Sequence, residues 1–243
     1  MRWLDWIVGF FRPAPVAPAA PQPHPPAPVV EADVAPPAAT TPAASPPVVE
    51  TQVVLPAMED AGDALVREAE AASGEEADRL WALAGEKYAD ALDADPGSTR
   101  ALISWANALV AQARTKADDD ADFLFTAAAH RYEAALHRQP DLAEALDLWG
   151  GALLCQAGTK AGDDADELLI LGNEKYASAL AVSADRSGAL CRWAKALAGL
   201  AATRTGEEAR QLRAAAAKQY EAALAIDPDL AEARAALSAL AAS

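Results

Sequence analysis

The chain has 243 residues, a net charge of −16, 3 histidines and 2 cysteines. This acidity argues against a nucleic-acid partner, because phosphate groups need lysine and arginine on the protein surface. Neither Cys155 nor Cys191 has a histidine at metal-ligand spacing, so we predict no metal site, no cofactor and a reduced, cytoplasmic environment.

Proline divides the chain into three parts. Fourteen of the 17 prolines lie from Pro13 to Pro56. The other three, Pro96, Pro140 and Pro228, are separated by 44 and 88 residues. We therefore predict an amphipathic N-terminal helix at residues 1–12, a disordered Pro/Ala-rich linker at 13–56 and a folded domain at 57–243. The formal charges of these parts are +1, −3 and −14, so the acidity belongs to the folded domain.

Residues 1–12 have the pattern of a short amphipathic helix. At about 100° per residue, their large apolar side chains cover about 200° of the helix surface, and the charged residues lie on the other side. The apolar stretch at 3–11 is about 13 Å long, far less than the ~30 Å needed to cross a bilayer. The residues expected to make membrane or docking contacts are Trp3, Leu4, Trp6, Ile7, Phe10 and Phe11.

Three interpretations of this helix remain open. It fits an anchor that lies in the plane of a membrane surface, because aromatic residues and flanking arginines suit that position. It fits equally well a docking peptide that enters a groove of a partner. A cleaved signal peptide is disfavoured, because Asp5 interrupts the apolar core that such a peptide needs.

The linker is too poor in large apolar residues to bury a core. Its proline and alanine content predicts an extended chain, partly in polyproline II conformation. Fully extended, it could reach on the order of 130 Å. The N-terminal helix is therefore expected to act independently of the folded domain.

The folded domain contains a repeat of 44 residues. Tyrosine occurs at this interval four times and tryptophan three times, and leucine and threonine positions keep the same spacing. Recurrence over four copies predicts one supersecondary unit stacked on itself. The recurring aromatic residues are Tyr88, Tyr132, Tyr176 and Tyr220, with Trp105, Trp149 and Trp193.

Each repeat has the pattern of two helices. In the second copy, two stretches carry small and apolar residues at helical spacing, and Pro140 ends the second stretch. The sequence therefore predicts an all-α domain of four helical hairpins and a final helix. The predicted helices are 58–73, 76–94, 99–116, 120–138, 142–159, 164–182, 187–204, 207–226 and 229–241.

The residues of these stripes resemble the tetratricopeptide repeat. In the second copy they are Leu102, Trp105, Ala106 and Leu109, followed by Ala128, Tyr132, Ala135 and Pro140. The resemblance implies that the hairpins form a right-handed superhelical solenoid, capped by the last helix, with a concave groove lined by first helices. Two departures stand out: the period is 44 rather than about 34 residues, and Ala184 replaces the proline of the third copy.

The resemblance also implies which residues line the groove. Family members that grip a C-terminal carboxylate use lysine, asparagine and arginine at such positions, but Leu148 and Gly151 interrupt that set here. We expect an acidic end at the first copy and a basic end at the fourth. The predicted groove residues are Glu59, Asp60, Asp63, Arg100, Asn107, Asp147, Arg192 and Lys195.

No constellation for catalysis is recognisable. His24, His130 and His137 have no partner that would make a nucleophile or base, and the aspartates from Asp118 lack the glycine and glutamate of a calcium loop. We therefore expect a non-enzymatic scaffold that recruits protein or peptide partners and is tethered to a membrane surface by residues 1–12. The alternative is a self-assembling structural subunit, a homo-oligomer or larger assembly, whose N-terminal helix docks onto a neighbouring subunit.

Overall fold

The computed structural model describes residues 48–241, with side chains from residue 56 onward. Within this range all regular structure is helical, which confirms the predicted all-α class. The predicted N-terminal helix, its six contact residues and most of the linker lie outside the described residues. The helices are α1 (Val48–Ala71), α2 (Gly74–Ala94), α3 (Thr99–Ala113), α4 (Asp118–Arg138), α5 (Ala143–Ala157), α6 (Asp163–Val182), α7 (Arg186–Ala202), α8 (Gly206–Ile226) and α9 (Ala231–Ala241).

The helices pack in pairs that follow the sequence repeat. The hairpins are α1–α2, α3–α4, α5–α6 and α7–α8, which we call copies one to four, and α9 packs on α8 and α7. From α2 onward, the second helices begin at intervals of 43 to 45 residues, and so do the first helices from α3 onward. The predicted recurrence of helix pairs is therefore confirmed for the described residues.

The start of α1 differs from the prediction. We expected the first helix at residue 58, but it begins at Val48 and contains Pro56. Proline removes one backbone donor from a helix, and the eight residues before Pro56 contain neither proline nor glycine. The last nine residues of the predicted linker, 48–56, are thus helical.

A backbone turn recurs before each second helix. Gly74, Gly162 and Gly206 have φ of 62°, 62° and 61°, and Asp118 at the same repeat position has φ of 50°. This left-handed region suits glycine, and aspartate tolerates it better than most side chains. The acidic run that begins at Asp118 therefore starts at a turn that the repeat requires.

The repeat tyrosines join neighbouring copies. All four are at most 4% exposed. The ring of Tyr132 stacks on Trp149 of the next copy with centroids 6.4 Å apart, and Tyr176 stacks on Trp193 at 5.7 Å. The four tyrosines and Trp193 are buried, whereas Trp105 and Trp149 are partly exposed.

Basic side chains at the end of each first helix also reach back to the preceding copy. Lys116 Nζ lies 2.5 Å from Asp78 Oδ1, and Lys160 pairs with Asp122 at the next copy. Arg204 donates hydrogen bonds to the carbonyl oxygens of Ala157 and Lys160, at and just after the C-terminus of α5. A cation at that end also suits the helix dipole.

Alkaline pH should unfold the protein and ionise its tyrosines together. Burial raises the pKa of all four from the ordinary 10.0, to about 12 for Tyr220. The fold favours the neutral hydroxyl, so this stabilisation is complete below pH about 10 and is lost as the pH rises above that value. The chain has 4 tyrosines in all, and these are the four repeat tyrosines, so the phenolate absorbance comes from them alone. We expect absorbance and helical circular dichroism to change in one transition; phenolate appearing while the helices persist would contradict this.

Candidate functional site

A groove of about 740 Å³ lies between the first helices α3, α5 and α7. We call it the central groove. The helix α5 forms its floor, with lining residues three or four positions apart along one face. Contacts between α3 and α5 are fewer than those between α5 and α7, which leaves room for the groove. The floor is small or apolar and includes Leu148, Gly151, Leu154, Cys155 and Gly158.

The rim of the central groove is cationic. Arg114 and Lys116 line it from the end of α3, and Arg192 and Lys195 line it from α7. Among the described lining residues, Asp147 carries the sole carboxylate. In a protein of net charge −16, four cationic side chains thus gather at one groove, and three of them, Lys116, Arg192 and Lys195, also pair with carboxylates. Cationic side chains that line a groove attract ligands of the opposite sign.

Asp147 is buried beneath the groove and pairs with Arg192. Its exposure is 6%, and Oδ2 accepts a hydrogen bond from Arg192 Nε. The other carboxylate oxygen, Oδ1, is buried without a hydrogen-bond partner among the described residues. Burial raises the pKa of Asp147, and the neighbouring guanidinium opposes this shift. Arg192 is half exposed, and its Nη1 also lies 3.7 Å from Asp185 Oδ2.

A second polar cluster joins copies one and two. Arg100 Nη1 lies 3.0 Å from Glu59 Oε2, and Arg100 Nη2 lies 2.5 Å from Asp60 Oδ1 and 3.6 Å from Asp63 Oδ2. Glu59 also accepts a hydrogen bond of 2.7 Å from Ser98 Oγ. The acidic side chains of the first copy are therefore gathered around one arginine.

The predicted groove residues divide into two groups. Asn107, Asp147, Arg192 and Lys195 line the central groove. The other four, Glu59, Asp60, Asp63 and Arg100, form the ion cluster at α1 and α3 instead. Asp63 and Asn107 also line a smaller pocket of about 350 Å³ between α1, α2 and α3.

One expectation about these residues needs correction. Glu59 and Asp147 are buried, at 3% and 6% exposure, because each meets an arginine of the next first helix. Charged side chains at both ends are also partly paired with neighbours of opposite sign, such as Asp60 with Arg100 at copy one. At copy four, Lys195 Nζ lies 3.1 Å from Glu232 Oε1 of α9.

Sequence reasoning missed several lining residues. Arg114, Lys116, Cys155 and the Tyr176 side chain all face the groove. Cys155 lies one helical turn beyond Gly151. Continuing the series of predicted groove residues along α5 at helical spacing would therefore have included it. Tyr176 was interpreted as core alone, because the repeat assigns its ring to the interior and gives no sign that its hydroxyl reaches the groove.

The thiol that lines the groove and the histidines of the described residues lie apart. Burial raises the pKa of the Cys155 thiol, so it is protonated at neutral pH. His130 and His137 are exposed on α4 beside Glu133, outside the groove lining. Within residues 56–241, no three histidine, cysteine, aspartate or glutamate side chains are grouped so as to hold a metal ion.

Comparison of the chain with protein-family models finds no match, and comparison with curated proteins finds none either. None of the helices in the described part of the chain combines the length and apolar character that crossing a membrane requires.

Proposed function

We propose that the protein is a non-enzymatic adaptor whose central groove binds an extended segment of a protein partner. The observation that carries this proposal is a basic rim above a small, apolar floor in an otherwise acidic protein. Such a groove suits a peptide whose acidic side chains or C-terminal carboxylate meet the rim while its apolar side chains cover the floor. The tetratricopeptide-like pattern and the stacked hairpins support a solenoid that presents this groove.

Reversing the charge of the rim should weaken peptide binding. Arg114→Glu with Lys195→Glu is the suitable pair, because Arg114 has no carboxylate within 4.0 Å among the described residues and Lys195 is paired only with exposed Glu232. Arg192 is kept, since it neutralises buried Asp147. The probe is a pool of fluorescent acidic peptides with free C-termini, followed by anisotropy. We expect affinity to fall at least about 10-fold, which is about 1.4 kcal/mol, with a weaker dependence on salt.

The matched control places the same charge change away from the groove. Arg79→Glu with Arg210→Glu alters two exposed arginines on the second helices α2 and α8. This variant should bind the peptide pool almost as the unmodified protein does. Equal losses in the two variants would mean that overall charge, and not the groove, governs binding.

We also propose that residues 1–12 tether the adaptor to a membrane surface. Support comes from the amphipathic pattern and from a linker long enough to hold an acidic domain away from anionic lipid. Trp3→Glu with Trp6→Glu in the full chain should abolish sedimentation with vesicles and leave the melting temperature unchanged. Ala17→Glu with Ala19→Glu is the control, because it adds the same charge to the linker.

The self-assembling subunit gives a different result in the same experiment. In that case the full chain does not sediment with vesicles of neutral or anionic lipid. It instead forms large particles, visible by light scattering, that Trp3→Glu with Trp6→Glu dissolves. This outcome would replace the membrane tether by docking of residues 1–12 onto a neighbouring subunit.

A further inference from the structure

In copies one and two, the same repeat position of the first helix supplies a hydrogen-bond partner for the repeat tyrosine. In copy one the Tyr88 hydroxyl donates a hydrogen bond of 2.7 Å to Asp63 Oδ1. In copy two the Tyr132 hydroxyl donates one of 2.6 Å to Asn107 Oδ1. Both acceptors lie 25 residues before their tyrosine; Asp63 lines the smaller pocket, and Asn107 lines the central groove as well.

The same position holds Gly151 in copy three and Lys195 in copy four, so neither copy supplies an acceptor to its tyrosine. The Tyr176 hydroxyl lies 3.0 Å from the point where a β-carbon of residue 151 would be. It has no hydrogen-bond partner among the described residues, and both Tyr176 and Gly151 line the central groove. Copy three therefore presents a free hydroxyl beside a missing side chain.

A second unpartnered group lies one helical turn away. Asp147 precedes Gly151 by four residues on α5, so the two share a face of the helix. Its Oδ2 is bonded to Arg192, whereas its Oδ1 is buried and unsatisfied. Burying an acceptor without a donor is unfavourable, so a ligand that brings a donor to Oδ1 gains from this arrangement. Asp147, Gly151 and Tyr176 form what we call the Gly151 socket.

The two groups require opposite partners. The Tyr176 hydroxyl needs an acceptor, and Asp147 Oδ1 needs a donor. A primary carboxamide carries both, an acceptor oxygen and an N–H donor, side by side in one plane. A carboxylate has acceptors alone, and the negative charge of Asp147 would repel it. An ammonium group has donors alone. The chain itself uses a carboxamide, that of Asn107, at the equivalent position of copy two.

We propose that the Gly151 socket binds the side-chain carboxamide of an asparagine or glutamine in the partner segment. The carbonyl oxygen of the ligand accepts from Tyr176, and its amide nitrogen donates to Asp147 Oδ1. The ligand thereby replaces the side chain that the repeat lacks at residue 151. This inference rests on the proposed function, because it assigns a residue preference to a peptide in the central groove.

The socket can be tested with a small probe, independent of any partner. Propionamide is titrated into the full-length protein, and the amide resonance of Gly151 and the ring resonances of Tyr176 are followed by NMR. Propionate is the matched probe, because it has the same shape without the N–H donor. We expect propionamide to bind at least about 10-fold more tightly than propionate. Equal binding of both, or no response to either because solvent alone fills the socket, would overturn the proposal.

Two substitutions and one control variant test where propionamide binds. Gly151→Asn should abolish the propionamide response, because it supplies the carboxamide from within the chain. Gly199→Asn is its control, because it adds the same side chain to the same groove, where a β-carbon meets no atom within 4 Å. Tyr176→Phe keeps the ring stacked on Trp193 and removes the hydroxyl alone, so it tests the socket even if Gly151→Asn does not fold. An unchanged response in Tyr176→Phe would exclude the assigned site.

A peptide experiment separates this inference from the proposed function. In each pool of acidic peptides, one position carries a single fixed amino acid and the other positions vary. The fixed position and its amino acid are changed in turn, and binding of each pool is measured by fluorescence anisotropy. We expect asparagine and glutamine to exceed aspartate, glutamate and serine at one position by at least about 5-fold, and Gly151→Asn to remove that preference. Binding of the pools without such a preference would overturn the socket and leave the adaptor function intact. A propionamide response without any peptide binding would instead overturn the adaptor function.

Discussion

Replacing Tyr132 with alanine is expected to lower the free energy of unfolding by about 3–5 kcal/mol, the range for truncating a buried aromatic residue. The ring is 1% exposed and stacks on Trp149, so its loss leaves a cavity between copies two and three. Tyr132 packs in a core cluster with Ala106 and Ala128, whose short side chains cannot extend into this space. Urea denaturation followed by circular dichroism measures the change.

Two control variants separate the contributions to this loss of stability. Tyr132→Phe removes only the hydrogen bond to Asn107 and should cost about 1 kcal/mol. Phe123→Ala truncates an aromatic residue on the same helix that is 74% exposed, and should change stability by less than about 0.5 kcal/mol. If Tyr132→Ala cost no more than Phe123→Ala, the tyrosine would not hold the copies together.

Replacing Arg192 with leucine should destabilise the protein by about 2–3 kcal/mol. Removing one member of a buried ion pair typically costs about 3–5 kcal/mol, and the exposure of Arg192 reduces this figure. The cause is the carboxylate of Asp147, which remains buried without its partner. Burial already raises the pKa of Asp147, so its neutral form is the one that the fold tolerates. The destabilisation should therefore shrink as the pH falls from about 7 toward about 4.

The repeat itself supplies the control for Arg192→Leu. At the preceding junction, the positions of Asp147 and Arg192 are held by Ile103 and Leu148, which pack in the same apolar cluster. Asp147→Ile combined with Arg192→Leu copies this junction and should restore stability to within about 1 kcal/mol of the unmodified protein, because an apolar pair can replace a buried ion pair. A double variant as unstable as Arg192→Leu alone would show that the buried charge is not the cause.

The sequence predicts most of the helical framework, because a repeat shows each pattern four times. Tyr88 and its equivalents mark every second helix, and the predicted boundaries from α2 onward lie within about three residues of those observed. The start of α1 was missed because it precedes the first recognisable copy. A single proline, Pro56, was there mistaken for the end of a linker.

The candidate site was less predictable, because its properties depend on pairs of residues from different copies. Four residues chosen by their repeat position, Asn107, Asp147, Arg192 and Lys195, line the central groove. Repeat position could not reveal that Arg192 reaches back to Asp147, since the equivalent pair in the preceding copies is Ile103 with Leu148. The unsatisfied groups of Asp147 and Tyr176 likewise follow from local departures from the repeat, and only the packed structure shows that both residues line the groove.

The sparse contact between α3 and α5 also bears on how the stack bends. Each copy touches only its neighbours. The flexibility of such a stack is therefore the sum of the flexibilities at the joints, by which we mean the packed interfaces between successive copies. The joint between copies two and three is the one at which first helices contact each other least, compared with α1 and α3 or α5 and α7. Asn107 and Lys195 line the same groove from opposite sides of that joint. A peptide that touches both would brace the joint and couple occupancy of the groove to the curvature of the whole domain.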